Sequence, residues 1–164
     1  MSNKTLHQYK QQQQLVQQYK DRKVTTAKRI LIVNHEDDVN LALKLVLEEL
    51  NYNNEGETKG NDNSIEVESF NNPFSALERF RIGIYDLIII GVMIPRMNGF
   101  ELSKQLRRID EKVKICFLIA GENASNFSGY STSYIEGEES HHVKSINLPI
   151  ENKDLVEQVV GMLM

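Results

Sequence analysis

Cysteine is nearly absent from this sequence: Cys116 stands alone, so no intrachain disulfide can form and a reducing, cytoplasmic setting is expected. Apolar runs are also short. None approaches the roughly 18 to 20 residues of a membrane helix, which excludes such a span. The amino terminus lacks the apolar stretch of a secretory signal, since Ser-Asn-Lys-Thr-Leu-His and then a glutamine run follow the first methionine. There is no P-loop, no glycine fingerprint for a dinucleotide and no Cys/His spacing suited to zinc. His7, His35 and His141-His142 do not suggest a metal site, because adjacent histidines on a strand point to opposite faces. Cys116 falls in an apolar run, where it is expected to pack and not to react. What is present is 164 residues, 40% hydrophobic and 26% charged, close to the size of one globular domain.

Basic charge is concentrated at the start. Residues 1–29 hold seven Lys or Arg against the single acid Asp21, whereas the other 135 residues carry 12 bases and 22 acids. That balance argues against a nucleic-acid-binding core. Residues 1–27 form a Gln-rich basic leader in which Leu6, Tyr9, Leu15, Val16 and Tyr19 make a thin helical stripe. It reads as a mobile or partly helical, solvated segment; a nucleic-acid tether is the alternative use.

From residue 28 to 164 strand and helix patterns alternate. Arg29–Val33 (RILIV) has the composition of a buried parallel strand, and Val39, Ala42, Leu43, Val46, Leu47 and Leu50 follow at helical spacing. Residues 51–64, with five Asn and two Gly, read as a solvated loop. A half-exposed strand follows over Ile65–Phe70, and Asn72-Pro73 opens a short helix through Phe80. Tyr85–Ile90 (YDLIII) is the strongest strand, and Asn98-Gly99 introduces a helix with Phe100, Leu102, Leu106 and Ile109. Lys112–Ala120 is a fourth strand, Val143–Ile146 a weaker fifth, and a last helix from about Glu151 buries Leu155, Val156, Val159, Val160 and Leu163. The alternation predicts an α/β fold, a doubly wound parallel sheet of five strands. Residues 122–142 interrupt it, being rich in serine and glycine, and predict a short or distorted helix and a long loop between strands four and five.

Open parallel sheets bind ligands at the carboxyl ends of their strands. Those ends carry Asn34-His35-Glu36, Gly91, Ile119-Ala120 and Leu148-Pro149. Here GVMIPRMNGFEL resembles the end of the third strand in response-regulator receiver domains, where an aspartate opens a D-x-x-M-P-x-M-N-G pattern. ILIVNHEDDV resembles their I-L-I-V-D-D-E-P-D opening, CFLIA their strand ending in Thr/Ser-Ala, and INLPI their Lys-Pro turn. The resemblance spans about residues 28–164, and the wording of YDLIII and KVKICFL is nearest to stand-alone archaeal-type receivers. It implies a flavodoxin-like receiver with strand order 2-1-3-4-5. It also implies a phosphoacceptor position at Gly91, acidic metal positions at Asn34 and His35 beside the matching acid Glu36, a Thr/Ser position at Ile119 and a Lys position at Leu148.

None of those substitutes can do the family's chemistry. Gly91 has no side chain to form an acyl phosphate, and Mg²⁺ prefers carboxylate, phosphate and water oxygens to an amide and an imidazole. Ile119 and Leu148 offer neither a hydroxyl nor a positive charge to a phosphoryl group. Asp86 lies roughly 16 Å from Gly91 at ~3.3 Å per residue of strand, out of reach. Asp37 and Asp38 are explained by the start of a helix. The expectation is therefore a degenerate pseudo-receiver in phosphorelay (two-component) signalling, not an enzyme, with no cofactor and Mg²⁺ binding weak or absent. It would act by contact with another signalling protein through the face of the fifth strand and last helix. Because the sequence ends with that helix, the output is expected from a separate protein. An active receiver using Glu36 or His35 as an unorthodox acceptor is the alternative. Ile119 and Leu148 are expected to close over Gly91 as an apolar plug.

Overall fold

The computed structural model describes residues 27–53, 64–121 and 143–164, with Lys10, Gln13 and Gln14 of the leader. The rest of the leader and residues 122–142, with the distorted helix and His141-His142 anticipated there, lie outside the described residues. Five strands form one parallel sheet: β1 (Lys28–Val33), β2 (Ile65–Phe70), β3 (Leu87–Gly91), β4 (Lys114–Ala120) and β5 (Val143–Leu148). Their order is β2-β1-β3-β4-β5, as expected. The helices are α1 (Asp37–Asn53), α2 (Pro73–Arg79), α3 (Gly99–Ile109) and α4 (Asn152–Leu163).

The pleat sends alternate residues of each strand into two cores. Leu31, Val33, Ile88, Ile90, Ile115, Phe117 and Ile119 pack with Ala76 and Phe80 of the α2 segment and with Leu102 and Leu106 of α3. Ile30, Ile32, Leu87, Ile89, Cys116, Leu118 and Ile146 pack on the other face with Leu43 and Leu47 of α1 and with Leu155, Val159 and Met162 of α4. A sheet covered on both sides explains why its central strands read as unbroken apolar runs. Each Val, Leu, Ile, Phe or Met side chain removed from water in this way contributes about 1.5–3 kcal/mol.

Local signals hold where expected. The Asn72 side chain accepts from the Phe74 amide at 2.8 Å with Pro73 opening α2, and Asn98 accepts from the Glu101 amide at 3.0 Å at the start of α3. Several boundaries differ from the sequence reading. Helix α1 continues to Asn53, into the stretch assigned to loop, because extending an existing helix adds a backbone bond for each residue fixed. Strand β3 begins at Leu87, not Tyr85, because Asp86 turns its carboxylate onto the Arg29 amide at 2.8 Å. Strand β4 begins at Lys114, not Lys112, because Asp110 holds the Lys112 amide at 3.1 Å in a turn. Strand β5 runs on to Leu148, kept in the ladder by the pairing of Ala120 with Leu148. No helix among the described residues is long and apolar enough to cross a membrane.

Candidate functional site

Register brings the predicted positions together. Val33 pairs with Ile90, so the next residues of those strands, Asn34 and Gly91, stand side by side, and Gly91 pairs with Leu118 on the far side. Ala120 pairs with Leu148. The strand ends open into a cleft of about 510 Å³ that contains all six predicted positions: Asn34, His35, Glu36, Gly91, Ile119 and Leu148. Val39, Val92, Met93, Leu118, Ala120, Gly121 and Pro149 complete its lining.

The apolar plug does not form. Along β4, Ile119 shares the pleat direction of Phe117 and packs into the α2/α3 core, whereas Leu148 packs toward the α1/α4 core. Ile119 pairs with Asn147 and not with Leu148, so the two side chains leave the sheet on opposite faces. The space above Gly91 is taken by Asn34. A Cβ placed on Gly91 would overlap the Asn34 Oδ1 atom and lie 3.0 Å from its Cγ and 3.2 Å from its Cβ. Asn34 is 7% exposed, so this amide forms the floor of the cleft.

Two further residues fix that floor, and sequence reasoning gave them no such part. The Nδ2 of buried Asn40, one turn into α1, donates to the Asn34 carbonyl at 2.8 Å and reaches the Phe70 carbonyl at 3.5 Å, joining the ends of β1 and β2. Its one readable signal is a polar residue inside the apolar spacing of Val39 and Leu43. Gly99 donates its amide to the Val92 carbonyl at 2.9 Å, and a Cβ there would run into the Gly91 carbonyl and stand 3.0 Å from Val92 Cα. Only glycine lets α3 approach β3 this closely.

The nearby ionisable groups sort by position. His35 Nε2 lies 3.7 Å from the Glu36 carboxylate on the rim. Asp37 and Asp38 occupy the first turn of α1, and Asp37 accepts from Asn71 Nδ2 at 3.0 Å; neither lines the cleft. Asp86 is at the other end of the sheet, bonded to the Arg29 amide and 3.6 Å from Lys28 Nζ. Cys116 is fully buried, and burial pushes its thiol up to about 12, which leaves no thiolate for chemistry. Among the described residues no group of three or more His, Cys, Asp or Glu is arranged to hold a metal ion.

A doubly wound sheet in the order 2-1-3-4-5 with a cleft at its carboxyl edge defines a flavodoxin-like α/β protein. The family model of the response regulator receiver domain matches residues 30–132, and the chain belongs to that family of two-component signalling domains, which interact with other signalling proteins. It is similar to the response regulator receiver protein CpdR of Brucella abortus, 26% identical over 137 residues that cover 84% of this chain and 98% of that one. The response regulator ArlR of Staphylococcus saprophyticus is 31% identical over 80 residues, which are 49% of this chain and 30% of ArlR. Among solved structures, chemotaxis protein CheY4 of Vibrio cholerae superposes with a TM-score of 0.61 at 18% identity, covering 84% of this chain and 99% of that one. A putative response regulator from Chloroflexus aurantiacus gives 0.60 at 22% identity, covering 84% and 98%.

Proposed function

We propose that this protein is a receiver that does not accept a phosphoryl group at the usual position and signals through protein contact. The observation that carries this reading is the exchange at the strand ends: glycine at position 91, with the Asn34 amide in the space an acceptor side chain would need. Among the described residues the cleft lining also has no lysine or arginine to offset phosphoryl charge, with Leu148 at the family's lysine position. The one carboxylate among the described lining residues, Glu36, makes a weak Mg²⁺ site at best. In this reading the protein is no enzyme and needs no cofactor. The β5/α4 face meets a kinase or output protein in the cytoplasm.

Incubation of the full chain with acetyl phosphate and Mg²⁺, followed by intact mass measurement, tests the proposal. The expected result is an unchanged mass and no saturable Mg²⁺ binding below millimolar concentration. A gain of one phosphoryl group, on Glu36, His35 or elsewhere, would overturn it. Co-purification with β5/α4 surface variants tests the contact face: a partner retained by all of them would remove that assignment.

A further inference from the structure

The cleft is open, and its two walls differ in chemistry. On the β1 side stand Asn34, His35 and Glu36; on the β4/β5 side stand Leu118, Ile119, Ala120, Leu148 and Pro149. Glu36 is 54% exposed and, among the described residues, is the only carboxylate on the lining, with no lysine or arginine facing it across the cleft. The floor is the Asn34 amide, with its oxygen over Gly91. A volume of about 510 Å³ lies within the range of clefts that enclose drug-sized ligands, and the pattern of apolar walls with a few grouped polar atoms is the usual one for them.

We infer that this cleft is a small-molecule site for a compact apolar amine: the hydrocarbon body lies on Leu118, Ala120 and Leu148, which share one face of the sheet, and the ammonium donates to Glu36 and to the Asn34 oxygen. This goes beyond the functional reading and rests on it in one respect, that the cleft is not used for a phosphoryl group. The chemistry selects the ligand. An anion would meet the Glu36 carboxylate with no lysine or arginine among the described lining residues to pair it, and the His35 imidazole already stands 3.7 Å from Glu36, whereas an ammonium finds a carboxylate and an amide oxygen on one wall. An entirely apolar molecule would make no use of either oxygen.

The probes are 1-naphthylmethylamine, 1-naphthylmethanol and 1-naphthoate, titrated into the full chain and followed by backbone amide NMR shifts. The amine should give saturable shifts centred on Asn34, Gly91 and Ile119, the alcohol a weaker version of the same pattern, and the acid none. Glu36→Gln should weaken the amine at least threefold and leave the alcohol unchanged. Leu148→Lys should weaken the amine at least tenfold in a protein whose melting curve shows it folded. Absence of saturable shifts with the amine, equal binding of 1-naphthoate, or an amine affinity unchanged in Glu36→Gln would each overturn the inference. The acetyl phosphate measurement is read separately by mass, so failure of the functional reading is not confused with failure of this one.

Discussion

Toward the amino-terminal end of the sheet charged side chains meet in pairs, whereas among the described residues lining the cleft at the carboxyl end an amide, an imidazole and aliphatic groups accompany a single carboxylate. Lys28 lies 3.6 Å from Asp86, Arg29 Nε 3.0 Å from Glu66 and Arg79 Nε 3.1 Å from Glu68. Tyr85 adds its hydroxyl, donating to Glu68, while its ring stacks on Phe80 at 5.7 Å and lies under the Arg29 guanidinium at 5.9 Å. Burial disfavours the Glu68 carboxylate, but the hydrogen bonds from Tyr85 and Arg79 outweigh it and hold its pKa below the usual value. Burial and then the Glu68 bond push the Tyr85 hydroxyl well above its ordinary 10.0. Charge in this molecule persists where it ties strand to strand. Among the described residues it is thin in the cleft at the strand ends.

The largest effect should come from the tightest point of the carboxyl end. Gly99→Val places a branched side chain against the Gly91 carbonyl and Val92 Cα, backbone that cannot swing aside, and should destabilise the domain by about 3 kcal/mol in urea melts. Gly91→Asp should destabilise by about 2 kcal/mol, since the obstacle there is a side chain that can rotate. In Asn34→Ala/Gly91→Asp the penalty at 91 should shrink by about 1 kcal/mol, read as the coupling in a double-mutant cycle. If the two substitutions prove additive, Asn34 is not what fills the space.

At the amino end Tyr85→Phe should cost about 1 kcal/mol near neutral pH, the ordinary worth of one hydrogen bond. Its pH dependence sharpens the comparison. The raised Tyr85 pKa gives stability that is complete below pH 10.0 and is lost as pH rises toward the folded value. The lowered Glu68 pKa gives stability present above 4.5 and lost as pH falls through the folded value. Tyr85→Phe should therefore reduce both the acid and the alkaline loss, leaving the alkaline contribution of Cys116 between 9.0 and about 12. An unchanged pH profile would show that this hydrogen bond does not couple to folding. The smallest effect belongs to Lys28→Ala, whose exposed pair with Asp86 should be worth less than 1 kcal/mol and vanish at high salt.

The sheet and its site positions were legible because both are written locally. Apolar β-branched runs mark β1, β3 and β4, Asn72-Pro73 and Asn98-Gly99 mark helix starts, and the residues after each run are necessarily the strand ends. What escaped depends on partners distant in sequence. The start of β3 is set by the Asp86 carboxylate, which binds the Arg29 amide, and the Asp110 carboxylate that turns the chain before β4 is itself held by the distant Gly83 amide at 3.0 Å. The plug failed for the same kind of reason. Which face Ile119 and Leu148 occupy follows from the register between β4 and β5, and no residue near either one states it.

The Asn34 amide over Gly91 also gives this site a direction in sequence space. A mutation that first restores an acid at position 91 meets occupied volume and is penalised at once. One that first trims Asn34 opens the space but confers nothing by itself. Under the proposed function, an acceptor at position 91 has to be accompanied by a change at Asn34, which confers nothing alone, before Ile119 and Leu148 even come into play. Under the proposed function the glycine at position 91 works as a latch: a library of single substitutions on this chain should yield variants that change its contacts or its stability, and none that accepts a phosphoryl group there.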